Sequence, residues 1–181
     1  MAAALDDGLA AEFLEVIDPV RYPDELGETD VREIRRIKAR VESERLPRGA
    51  DPSRHLKLGR GALSDVEWLV QLLQLQHARA IPALRVQSTL AALDVIAAEG
   101  LLPVDDVALL RESWNLATRI RAANVIWSGR GSDLLPSPRR DLEAVARWCG
   151  YGPGSGSDLE EDYLRMTRRS RAIFERHFYG Y

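Results

Sequence analysis

The stretch HLKLGRGALSDVEWLVQLLQLQ, His55 to Gln76, decides the fold. Its first four residues, His55-Leu56-Lys57-Leu58, alternate in character, which predicts a short strand, with Leu56 to Gly59 the one extended segment of the chain. Gly59 and Gly61 then allow positive φ and a close backbone approach that side chains would block. Ser64 sits where a helix N-cap belongs and Glu67 falls three residues later, the spacing of a capping box. From Trp68 onward, Leu69, Leu72, Leu73 and Gln76 repeat at helical spacing, widened by Val70 and Leu75. The turn therefore feeds a helix N-terminus, whose backbone N–H groups favour anions. Two readings follow. In one, the turn is a strand-to-helix connection in which Glu67 caps and Asp65 complements the helix dipole. In the other, Asp65 and Glu67 are metal- or phosphate-site acids and Lys57 is a phosphate-facing cation.

Outward from this turn, composition sets the bounds. The chain has 181 residues, enough for one domain, and 45% of them are hydrophobic, enough for a core. A formal charge of −3 gives no basis for a nucleic-acid partner. The basic residues are nearly all arginine, the lysines being Lys38 and Lys57. A single cysteine, Cys149, excludes an internal disulfide and a cysteine zinc cluster. The start, MAAALDDGLAAEFLEV, carries acids where a secretory leader needs a basic region. No apolar run approaches the ~20 residues of a membrane span. A soluble, cytoplasmic chain is expected.

Upstream, residues 8–17 predict a short amphipathic helix with Leu9, Phe13, Leu14 and Ile17 on one side, ended by Asp18-Pro19. Thr29 is expected to cap a second helix, in which Val31, Ile34, Ile37, Lys38 and Val41 keep helical spacing. Leu46-Pro47 closes it, and a loop leads to His55. Downstream, a helix is expected from Leu84 to Glu99 and another from Asp105 to about Trp127. On the latter, Arg111, Arg119 and Arg121 lie with Asn115 and Asn124, either as surface groups or facing a partner or a nucleotide. A short helix from Asp141 to Cys149 and a glycine-rich connector follow. The last helix is expected to start at a Ser157 or Asp158 cap and run to Phe178, with Arg165, Arg168, Arg169, Arg171 and Arg176 around its apolar stripe. The expected fold class is mainly α, a helical bundle following a short strand and Gly-rich turn.

Chemistry is sparse. The histidines, His55, His77 and His177, are dispersed without metal-binding spacing. No phosphate-binding loop, nucleophile elbow or complete G-x-G-x-x-G is present. No nucleophile–base pair can be nominated.

The run from Arg36 to Ala78, RIKARVESERLPRGADPSRHLKLGRGALSDVEWLVQLLQLQHA, nevertheless resembles glutamine synthetase adenylyltransferase. Lys57, Gly59, Gly61, Asp65, Val66, Glu67, Trp68 and Gln71 match that family's lysine-bearing strand, double glycine, Asp-[Ile/Val]-Glu-aromatic element and Gln-rich helix. Ala62 departs from the usual second glycine. The segments DPVRYP (18–23) and RAIFERHFYG (171–180) resemble the actinobacterial form. The resemblance implies a bifunctional enzyme that transfers AMP from ATP to a tyrosine of glutamine synthetase and removes it with phosphate. It implies Mg²⁺ as cofactor, and ATP, glutamine synthetase and a PII-type signal protein as partners, with no nucleic acid or membrane.

By the same resemblance, residues 1–63 end a nucleotidyltransferase domain, of which the strand and turn are the remnant, and residues 64–181 form the C-terminal helical domain. Lys57, Gly59 and Gly61 become nucleotide-binding candidates, Asp65 and Glu67 supporting acids, and Asp65 a Mg²⁺ ligand. The family's Gly-Ser/Asp-x-Asp element is not in this sequence, and the acid pairs at 6–7 and 105–106 have no Gly-Ser before them. The chain is accordingly expected to be a C-terminal piece, inactive alone. The competing expectation is a non-catalytic helical interaction module that docks a partner through the arginines of the last helix.

Overall fold

The computed structural model describes residues 7–181, and seven α-helices account for its regular structure. They are α1 (Asp7–Arg21), α2 (Glu28–Glu44), α3 (Leu63–His77), α4 (Thr89–Ala98), α5 (Val104–Ser128), α6 (Arg139–Trp148) and α7 (Gly156–Phe174). A short π-helical turn, Glu175–Tyr179, extends α7. Asp6, half of one acid pair noted above, lies outside the described residues.

The mainly α expectation holds, and the strand does not form. Among the described residues the extended pairing is one antiparallel bridge, His55 to Leu134, and residues 56–58 already turn. The reason is local. His55 Nδ1 accepts the backbone N–H groups of Lys57 and Leu58 at 3.3 and 3.0 Å, and Gly59 N–H returns to His55 O at 3.0 Å. A backbone folded back on itself within four residues cannot run on as a strand.

Two apolar clusters build the core. One gathers α3, α4, the first half of α5 and the end of α7, around Leu69, Leu93, Ile96, Leu110, Phe174 and Phe178. The other gathers the second half of α5, α6 and the first half of α7, around Leu56, Ile120, Val145, Leu159 and Tyr163. The 25-residue α5 and 19-residue α7 thus run through both clusters, and α3, α4 and α6 pack against them. Neither helix contains a proline, and apolar side chains recur at helical spacing along most of both.

Several boundaries differ from expectation; α2 is preceded by Gly27 rather than capped by Thr29, and α6 starts at Arg139 rather than Asp141. Pro19 lies within the last turn of α1 rather than ending it. The turn beyond it survives because Tyr22 is buried and the Arg85 guanidinium covers its ring at 5.4 Å while pairing with Asp18. The apolar side of α1 is otherwise outward, with Leu9, Phe13, Leu14, Val16 and Val20 all exposed. Downstream, α4 begins at Thr89 rather than Leu84, capped by Ser88 Oγ accepting Ala91 N–H at 3.3 Å. Before it, the Gln74 amide donates to the carbonyls of Leu84 and Val86 at 2.7 and 2.8 Å, holding that backbone out of the helix. The last helix begins at Gly156, after Ser155, which makes no side-chain cap.

The π-turn brings Phe178 back onto Phe174, with ring centroids 4.6 Å apart and stacked, while Trp68 meets Phe178 edge-on at 6.3 Å. Phe178 is fully buried there. Phe178→Ala should cost about 3–5 kcal/mol, as large-to-small changes at buried aromatics do. A fall in the urea midpoint checks it; a midpoint within error of the parent would show that the turn does not close this core.

Candidate functional site at the glycine turn

The approach to the turn is a 3₁₀ segment, Pro52–Arg54, capped by Asp51, which accepts from Ser53 N–H at 2.8 Å. His55 follows, tied to the 133–135 segment by Leu56 N–H to Asp133 O at 2.7 Å and Leu135 N–H to Arg54 O at 2.8 Å. Tyr163 of α7 donates its hydroxyl to His55 O at 3.3 Å.

The glycines are required, and by the chain itself. A Cβ on Gly59 would stand 2.3 Å from His55 O and 2.4 Å from Pro52 O. Gly61 has φ +73°, and a Cβ there would stand 1.9 Å from Thr167 O on α7. Close backbone approach is thus real, but what approaches is α7 and the preceding turn.

The helix start differs from the expected capping box. α3 begins at Leu63 after Ala62, and Ser64 lies inside the helix. The residue that reaches back is Asp65, whose Oδ2 accepts Gly61 N–H at 2.6 Å. Asp65 is only 1% exposed and is met by two cations. Lys38 Nζ donates to Oδ1 at 2.6 Å, and the Arg171 guanidinium donates to Oδ2 at 3.0 Å. Glu42 accepts from both cations at 2.8 Å, and Glu175 accepts from Arg171 Nε at 2.7 Å. Phe174 lies beneath, its ring 5.2 Å from Lys38 Nζ and 5.1 Å from the Arg171 guanidinium carbon. Five charged groups on α2, α3, α7 and the π-turn thereby form one network. Burial pushes the Glu42 carboxyl up, but hydrogen bonds from Arg171 and Lys38 together outweigh it and hold the carboxyl below its ordinary value. Burial likewise opposes the charge on Arg171, and Glu42, Asp65 and Glu175 more than restore it.

The other nominated residues are dispersed. Lys57 is exposed and Glu67 half-buried. Glu67 stands two positions from Asp65 on a helix, so the two carboxylates do not share a face. Among the described residues no group of three metal-ligating side chains converges. Mg²⁺ prefers octahedral oxygen coordination, commonly from one or two carboxylates plus phosphate and water. Asp65, with both oxygens already engaged by cations, does not fit that ion.

The residues missed by sequence reasoning are the partners of Asp65. A signal was present, since Lys38 occupies the inward stripe of α2, and a lysine there demands a buried counter-charge. Arg171 carried no such mark among its neighbours. On α5, Asn124 is buried and donates to the carbonyls of Ser132 and Leu134, and Arg121 pairs with Asp133, so both hold the 128–138 loop.

The family model for the GlnD PII-uridylyltransferase matches residues 35–178, and the chain belongs to that family. The chain is also similar to proteins named bifunctional glutamine synthetase adenylyltransferase/adenylyl-removing enzyme. Identity is 58% to that of Leifsonia xyli subsp. xyli over 97% of this chain and 17% of the relative. It is 57% to that of Streptomyces avermitilis over 97% of this chain and 18% of the relative. It is 53% to that of Mycobacterium avium over 98% of this chain and 18% of the relative. The chain spans less than a fifth of the length of these curated relatives. No described helix is long and apolar enough to cross a membrane.

Two outcomes test the site. Asp65→Asn should lose about 3–5 kcal/mol, because it leaves Lys38 and Arg171 buried beside a neutral amide. In a double-mutant cycle, adding Lys38→Met should cost much less than it does in the parent, and strict additivity in urea unfolding would contradict the network.

The second outcome concerns pH. Burial pushes the His55 imidazole below its ordinary 6.5. The unfolded chain therefore takes the proton first, so the His55 contribution is whole above about pH 6.5 and is lost as pH falls through the window beneath it. The urea midpoint should fall between about pH 7 and pH 5, and His55→Gln should flatten that slope while lowering the plateau.

Proposed function

We propose that this chain is the helical module of a bifunctional glutamine synthetase adenylyltransferase/adenylyl-removing enzyme of the actinobacterial type. The supporting observation is similarity above 50% identity along 95% or more of the chain, to relatives of that name in several actinobacteria. In this reading residues 1–63 finish the nucleotidyltransferase domain and residues 64–181 are the helical domain behind it. The buried ion network spans that division, with Lys38 on one side and Asp65 and Arg171 on the other, and couples the two segments mechanically.

The activity assigned to the intact enzyme is transfer of AMP from ATP to a tyrosine of glutamine synthetase and its phosphorolytic removal, in the cytoplasm. ATP and Mg²⁺ are held by residues outside this chain, and a PII-type signal protein is the proposed regulator. Of the five nominated residues, Gly59, Gly61 and Asp65 act by fixing the turn. Lys57 and Glu67, on the outer side of the turn and of α3, remain available to the catalytic region. The module therefore braces the catalytic region.

The competing docking surface on α7 is less favoured. Arg165 pairs with Asp162, Arg171 is committed to the buried network, and Arg176 pairs with Asp106, leaving Arg168 and Arg169.

The experiment uses radiolabelled ATP, Mg²⁺ and glutamine synthetase. The chain alone should transfer no label, and the intact enzyme should transfer it. In the intact enzyme, Asp65→Asn should lower the melting temperature and leave the Mg²⁺ concentration for half-maximal rate unchanged. A raised Mg²⁺ requirement at unchanged melting temperature would return Asp65 to the metal site.

A further inference from the structure

The end of α5 and the outer face of α6 carry two large aromatic side chains that the core does not use. Trp148 is 59% exposed and Trp127 is 40% exposed. They border one open groove of about 480 Å³, together with Arg140, Glu143, Ala144 and Arg147. The Arg140 guanidinium lies 5.8 Å from the Trp127 ring centroid, and Trp127 Nε1 donates to Asp141 at 3.0 Å, so that indole is held in place.

The charges of the groove are unequal in availability. Glu143, its one acidic lining residue, already accepts Gly154 N–H at 2.6 Å and Gly156 N–H at 3.0 Å, and lies 3.5 Å from Arg147 Nε. These bonds anchor the glycine-rich connector, and the Gly154 bond, first among its causes, helps hold the Glu143 carboxyl below its ordinary value. Asp141 is occupied by Trp127. Arg140 is exposed and meets only an indole face, and Arg147 is 61% exposed at its side chain. Arg139 and Arg140 also open α6, where the helix macrodipole favours acids rather than cations. Asp141, in the same first turn, offsets part of that cost.

We propose that this groove, framed by Trp127, Trp148, Arg140 and Arg147, docks an acidic segment of a partner protein that carries an apolar anchor residue. Tryptophan and arginine are the side chains that most often dominate binding energy at protein interfaces. Guanidinium groups pair with carboxylates through two parallel hydrogen bonds, which favours Asp or Glu beside the anchor. The proposal does not depend on the adenylyltransferase reading.

The test titrates the whole chain into a fluorescein-labelled peptide of sequence EELEEFEELEE and its lysine counterpart KKLKKFKKLKK, by anisotropy at low and high salt. The acidic peptide should bind, lose affinity at high salt, and outcompete the lysine peptide. Trp148→Ala and Arg147→Glu should each weaken it about tenfold or more, with Trp148→Phe retaining most of the affinity and melting temperatures unchanged. Should Trp148→Ala lower the melting temperature, the Arg140→Gln/Arg147→Gln double variant, confined to exposed side chains, decides by the same loss. Absence of binding, equal binding of the lysine peptide, or affinity unmoved by the substitutions would overturn the proposal.

Discussion

Two cations, Lys38 from α2 and Arg171 from α7, converge on the carboxylate of Asp65 at the first turn of α3. An unpaired charge at that depth would be strongly destabilising, so each of the three is tolerable only with the others in place. The same carboxylate receives the Gly61 N–H and thereby sets the entry of α3. Position of α2, start of α3 and seating of α7 are consequently one arrangement rather than three. Neither α2 nor α7 can slide by a turn without stranding a charge.

Around that arrangement the glycines have a mechanical purpose. Gly61 lets the backbone lie against Thr167 where any side chain would collide, and that approach brings Arg171, one turn further along α7, into reach of Asp65. Gly59 folds the preceding segment back under His55. His55 contributes through an acceptor nitrogen, Nδ1, and so must stay neutral to hold the turn. The glycine turn is a joint between helices, and its acid is the pin of that joint.

This has a consequence for how the family's motif is understood. A lysine, two glycines and an Asp-x-Glu pair at the head of a helix have the composition of a phosphate- and metal-binding loop. The same composition also serves tight helix packing around a buried charge, since both tasks need close backbone approach and a fixed carboxylate. What distinguishes them is where the lone pairs of the carboxylate point, and at Asp65 they point into the protein.

Helices were legible in the sequence because apolar side chains at 3.6-residue spacing have one way to be buried together, and α5 and α7 show that spacing along most of their length, with Ser113, Asn124, Thr167 and Ser170 among their buried residues. Family membership was legible too, through the glycine turn and the Asp-Val-Glu-Trp run. The sequence also placed Lys38 on an inward face, although not its partner. Only the tertiary structure decided that partner, since Asp65 lies 27 residues from Lys38 and Arg171 a further 106 from Asp65. It likewise decided that His55 to Leu58 turns rather than extends, because the competing acceptor is the His55 side chain, on a backbone that Tyr163 and the 133–135 segment help to hold. Periodicity records which residues must leave water; which charges meet when they do depends on how the helices cross, and that is a property of the packed chain.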